Sequence, residues 1–183
     1  TPMIWGTQSM CRLTEGDYYG AEDSANLLQA VIHPTQRLAL SQCSYYRAGI
    51  ALMREELRSA FQYATHALNA SAPLCLPFLT GNCRIGLAKI LIELGEFETA
   101  REVLSASLES ARAIHSVITE IHCFLTMAQL SLKERRVVEA EGFLRVGLQR
   151  AREGNHLCLD YWWRPRVMAE LLAYALEADI EVD

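Results

Sequence analysis

Gly95-Glu96-Phe97-Glu98-Thr99-Ala100 decides the fold. It is a glycine-led break followed by a stretch of helical periodicity that opens on an alanine. The same step recurs as Gly16-Asp17-Tyr18 before Ala21, Glu55-Glu56-Leu57 before Ala60, and Arg135-Arg136-Val137 before Ala140. The four alanines therefore return about every forty residues. Self-similarity at such a period is the signature of a solenoid built from stacked helix pairs.

The register holds away from the alanines. Twelve residues before them stand Ser9, Ala48, Ala88 and Ala128, all small; eight before stand Leu13, Leu52, Ile92 and Leu132, all large and apolar. Seven after come Leu28, Ala67, Ser107 and Gly147, and eight after come Gln29, Leu68, Leu108 and Leu148. Small residues at fixed positions let paired helices approach closely, and the large ones fill the space between pairs. Pro34 and Pro73 each fall thirteen residues after a repeat alanine, where they stop the second helix of a pair. β-Branched runs that alternate with polar residues are nearly absent, which argues against strands.

The pattern predicts an all-α chain: a right-handed α-solenoid of about four long helix pairs and a C-terminal capping helix. First helices are expected near 3–13, 35–53, 78–94 and 117–132, partners near 18–32, 56–70, 96–114 and 137–153, and the last helix from Pro165 to about Ala178. The repeats run about 1–34, 35–74, 75–115 and 116–155, with a cap over 156–183, all read as one domain of a larger protein. The 183 residues, 51% hydrophobic, suffice for one substantial core.

Composition narrows the function. Net charge is −5 and the basic residues form no stripe, so direct nucleic-acid binding is not expected. No apolar run reaches the roughly 20 residues that span a bilayer, and no signal-peptide pattern opens the chain. Three of the six cysteines, Cys43, Cys83 and Cys123, share one repeat position. Stacked equivalents lie on the order of 10 Å apart, beyond disulfide reach, so these are expected to be reduced and buried in a cytoplasmic protein. The histidines are scattered, no cysteine pair has zinc spacing, and neither a phosphate-cradling glycine loop nor a G-x-S-x-G turn is present. Glu15 with Asp17 and Glu139 with Glu141 flank helix starts, where acids favour the helix dipole. The expectation is a non-enzyme with no cofactor and no metal.

Helix pairs with two small columns resemble tetratricopeptide repeats (TPR), and Trp5, sixteen before Ala21, stands where that motif often carries its tryptophan. The period exceeds the usual 34, which implies extended helices. The end of the chain reads Tyr161-Trp162-Trp163-Arg164-Pro165, then Met168-Ala169-Glu170-Leu171-Leu172-Ala173-Tyr174-Ala175-Leu176-Glu177-Ala178-Asp179-Ile180-Glu181-Val182. It resembles the closing segment of the long-repeat helical domain in MalT-like bacterial regulators, a LuxR-family and STAND-type group. That resemblance implies a ligand- or protein-binding sensor module that contributes to signal reception and oligomerisation of a transcriptional regulator. No nucleotide-binding loop or helix-turn-helix is seen here, so ATPase and DNA-binding roles are not carried over. The alternatives are a generic TPR scaffold that binds a peptide or helix in its groove, and a spacer that binds nothing.

First helices line the concave side of tetratricopeptide-like arrays. The register places Gln42, Tyr45, Gly49, Asn82, Ile85, Lys89, His122, Leu125 and Gln129 there, with Gln42, Tyr45, Asn82, Lys89, His122 and Gln129 as candidate ligand contacts. Such a mixture suits a polar effector or an extended peptide. Trp162 and Trp163 have two readings: a plug under Leu171, Leu172 and Ala175, or one ring buried and the other an anchor for self-association or a neighbouring domain.

Overall fold

The computed structural model describes residues 2–156 and 160–180; the predicted closing residues Glu181 and Val182 and residues 157–159 of the predicted cap lie outside them. Among the described residues the chain is helical without strands. The helices are α1 (Pro2–Thr14), α2 (Tyr18–Val31), α3 (Arg37–Met53), α4 (Leu57–Ser71), α5 (Pro77–Leu94), α6 (Phe97–Ala113), α7 (Val117–Lys133), α8 (Val137–Glu153) and α9 (Pro165–Glu177). They pack as the pairs α1/α2, α3/α4, α5/α6 and α7/α8, with α9 against α7 and α8. Each second helix also touches the first helix of the next pair, and α1, α3, α5 and α7 touch in succession.

The seams explain the period. Ser9 and Ala21, Ala48 and Ala60, Ala88 and Ala100, and Ala128 and Ala140 all have 0% exposure. Hydroxyls reinforce three of the seams. Ser9 Oγ donates to Ala21 O at 2.9 Å, and Ser41 Oγ donates from α3 to Ala67 O on α4 at 2.9 Å. In the next pair the direction reverses: Ser107 Oγ on α6 donates to Gly81 O on α5 at 3.0 Å. Positions 41 and 81, and 67 and 107, are repeat equivalents, so either strand of the seam can supply the hydroxyl. Each such bond contributes about 0.5–1.5 kcal/mol net.

The turns repeat as well. Gly16, Glu55, Gly95 and Arg135 take positive φ (78°, 61°, 80° and 62°) just after each first helix. The next N–H then reaches back to the helix: Asp17 N to Arg12 O, Glu56 N to Ala51 O and Glu96 N to Leu91 O at 2.9 Å, and Arg136 N to Ser131 O at 2.8 Å. This is the left-handed helix stop that satisfies the last carbonyls. It aims every second helix back along its partner.

Second helices bury one stripe, whereas α5 and α7 are buried almost all round, α7 from Thr119 through Ser131 without a break. A helix buried on every side has a neighbour on every side. For α3, α5 and α7 the additional neighbour is the chain itself, after α8. The core falls into one cluster through α1–α7 that includes Trp162, and a second formed by α7, α8 and α9 around Ile121, Leu144, Met168 and Leu171. Cys43, Cys83 and Cys123 are free thiols and buried, and burial pushes Cys123 up to about 11.

Candidate functional site

The stripe on the first helices that the register marks as concave is dry in this structure. Tyr45, Asn82, Lys89, His122 and Gln129 are buried, and Gln42 is half-buried one turn before Tyr45. The cover is the segment 160–164, which crosses the face between α8 and α9.

Trp162 lies at its centre with 1% exposure. Its ring stacks at a tilt on Tyr45, centroids 4.7 Å apart, and Lys89 Nζ sits 5.8 Å from the ring centre. Two mid-helix glycines make the room. A Cβ at Gly49 would fall 2.7 Å from Trp162 Cε2, and one at Gly86 would fall 2.5 Å from Cη2. Glycine inside a helix costs about 0.5–1 kcal/mol relative to alanine, and here the absence of Cβ admits the indole. Of the two rings, either of which could plug the space under Leu171, Leu172 and Ala175, Trp162 instead takes a slot on α3 and α5. Trp163, half-buried, packs on the α9 cluster, and its N–H donates to Leu13 O at 3.1 Å, at the end of α1.

Charges flank the indole. Asp160 accepts from Lys89 Nζ, both side chains buried, and its Oδ1 also accepts from Trp162 N at 3.0 Å. Arg164 donates to Glu93 Oε1 at 3.0 Å and to Gln129 Oε1 at 2.7 Å, and Gln129 Nε2 donates to Glu93 Oε1 at 3.0 Å. That closed triangle ties the segment to α5 and α7. Tyr161 meets His122 edge to face at 4.5 Å. Beneath the segment a cavity of about 10 Å³, room for one water, is lined by Lys89, His122, Gln129, Asp160 and Arg164.

Burial alone would lift the Asp160 carboxyl, but Lys89, helped by Arg164 and His122, overrides it and holds the pKa below the usual carboxylate value. Burial, and then the negative Asp160, keep the Tyr45 phenol protonated well above its ordinary range. Three polar atoms at the site remain without a protein partner: Asn82 Oδ1, Trp162 Nε1 and Arg164 Nε. A buried group left so loses about 1–3 kcal/mol.

The register found Tyr45, Gly49, Lys89, His122 and Gln129, and the structure brings these together around one segment. It missed Gly86, Glu93, Asp160, Tyr161 and Arg164. Gly86 and Glu93 continue the Asn82–Lys89 stripe by helical spacing, and a glycine inside a helix is itself a sign of close approach. Asp160 and Arg164 carried no such signal in the stretch that joins the last pair to the capping helix. Among the described residues no cluster of His, Cys, Asp or Glu could hold a metal ion, and no helix is long and apolar enough to cross a membrane.

These features define a helical-repeat protein. No protein-family model matches the sequence, and no curated protein matches it. A solved structure, the apo form of RapI, is similar in fold with a TM-score of 0.67 at 14% identity, over 97% of this chain and 64% of that one. The chain thus spans less than two thirds of that neighbour's length, and at this identity the likeness speaks for the fold alone.

Proposed function

We propose that the chain is a partner-binding helical-repeat module and, more finely, the single-domain sensor module of a larger cytoplasmic MalT-like transcriptional regulator. In that setting it receives a small-molecule or protein effector on the inner face and contributes to self-association, with DNA contacts left to other domains. One observation carries the binding role: the inner stripe presents Tyr45, Lys89, His122 and Gln129 on successive helices to a short non-helical segment. A core needs no such residues, since apolar replacements of buried ion pairs are often neutral or stabilising. The plainer reading, a scaffold for a peptide, is favoured by the short non-helical stretch of chain held there.

The test is selection of binders from a random peptide library, followed by calorimetry against a Tyr45→Ala/Asn82→Ala variant. At least a tenfold loss of affinity with unchanged helicity is expected. Equal affinity for both proteins, or no selected binder, rejects the inner face as the site.

A further inference from the structure

The segment 160–164 is held by side chains far more than by backbone. One backbone bond, Trp163 N to Leu13 O, ties it to the first pair; the other anchors described above are the Lys89–Asp160 pair, the Tyr161–His122 contact, the Trp162 ring and the Arg164 triangle. Recognition by an acid, an indole and a guanidinium at fixed spacing is transferable, because any chain that carries those groups and takes the same bend at 161–162 presents the same contacts. The fit of the resident is also incomplete. Asn82, 7% exposed and on the same stripe, keeps an unpartnered Oδ1, and the indole Nε1 is unpartnered beside Gly49. A different occupant with a donor for Asn82 gains a bond that the resident lacks.

We propose that the slot between Gly49 and Gly86 is an exchangeable site for a peptide bearing an acidic residue two positions before a tryptophan, with Asp160–Arg164 as its resident in-chain occupant. The proposal rests on the partner-binding reading and names the chemistry of the partner. An occupant on the same chain acts at an effective concentration on the order of millimolar. An external peptide therefore sees only the open fraction, and its apparent affinity falls by that fraction. Partner binding and release of the segment are then one equilibrium, which also moves Trp163 and the start of α9.

The experiment uses the full chain and a labelled peptide with the sequence of residues 159–166. An Asp160→Ala/Trp162→Ala variant is expected to bind it at least tenfold more tightly than the wild type does. A peptide with its aspartate changed to asparagine and the first tryptophan to alanine should bind neither protein. Adding Gly86→Ala to the emptied variant should abolish binding, since the new Cβ enters the indole slot. Equal affinity for wild type and emptied variant, or binding to neither, overturns the proposal. Should the emptied variant fail to fold, wild-type protein labelled with 5-fluorotryptophan gives the answer. Millimolar peptide should shift the Trp162 fluorine resonance towards its solvent-exposed value, and an unmoved resonance overturns exchange. Library peptides that need Tyr45 and Asn82 but leave Trp162 unmoved would sink exchange while the partner-binding reading stands.

Discussion

At the seams, repeat-equivalent residues are alike: Ser9, Ala48, Ala88 and Ala128 face Ala21, Ala60, Ala100 and Ala140, and none is exposed. On the inner face, equivalents diverge: Gly49, Lys89 and Gln129 occupy one column, and Tyr46, Gly86 and Thr126 the next. Both regions are dry. The seam must solve the same packing problem in every pair, so selection for close approach returns the same residues. The inner face meets one segment that does not repeat, so each helix carries what that segment needs at its own level.

The largest effects should come from breaking the inner face. Trp162→Ala removes a large buried ring between two glycines that no neighbour can refill, and should destabilise by about 3–5 kcal/mol in chemical denaturation. Lys89→Met should be comparably damaging, about 3–5 kcal/mol, because it strands the Asp160 carboxylate in a dry site. The double change Lys89→Met/Asp160→Leu should recover much of that loss. A double variant as unstable as the sum of its singles would show that the pair is not coupled, and that packing alone holds the segment.

Next come the seams. Ala100→Leu forces a branched side chain into a contact with no free volume and should cost about 1–3 kcal/mol. Ala21→Leu, at the first pair with neighbours on one side, should lower the melting temperature less. Equal losses would mean that the end of the array is as tightly held as its middle.

Those seams were legible from sequence because period and residue size carry the same message there. The helix boundaries followed, since the step before each repeat alanine marks a turn whether or not it holds a glycine: α3, α5, α7 and α8 end within a residue or so of the predicted stops. Half of the inner face was legible for the same reason, as Tyr45, Lys89 and Gln129 fall on a helical stripe. What lies across it was not. Asp160 and Arg164 find Lys89, Glu93 and Gln129 through contacts 35 to 71 residues apart in sequence, and no local pattern encodes a pairing at that distance. Gly49 and Gly86 had the best remaining signal, a glycine in mid-helix, which becomes meaningful only once the indole is seen beside it.

A smaller effect separates the regions by pH. The alanines and serines of the seams do not titrate in acid, whereas Asp160 has a folded pKa held below its ordinary value, set by Lys89, Arg164 and His122 against the opposing effect of burial. A lowered carboxyl contributes stability that is complete above its unfolded pKa of about 3.9 and is lost as pH falls through the folded value. Trp162 fluorescence should therefore report loosening of the segment below about pH 4, ahead of the loss of helicity. Asp160→Asn should remove that early phase. Fluorescence and helicity that change together would mean that segment and array unfold as one unit.

The smallest expected effect concerns the turns, where the repeat is obeyed in geometry but not in residue type. Gly95 and Arg135 adopt nearly the same left-handed φ, 80° and 62°, at equivalent stops. For an L-residue with a Cβ that conformation costs roughly 1–2 kcal/mol, and a glycine loses part of that advantage through its greater freedom when unfolded. Arg135 is exposed and its side chain makes no ion pair among the described residues, so Arg135→Gly removes the strain without removing an ion pair. It should stabilise by a few tenths to about 1 kcal/mol, and Glu55→Gly should do the same on α3. Gly95→Ala is the reverse change and should destabilise by about 1 kcal/mol, although a Cβ there meets nothing within 4 Å. That open space makes the test clean, because any loss must come from the backbone. If Gly95→Ala and Arg135→Gly both leave the denaturation midpoint unmoved, the left-handed stops are not strained, and differences in stability along the array must come from the packed faces alone.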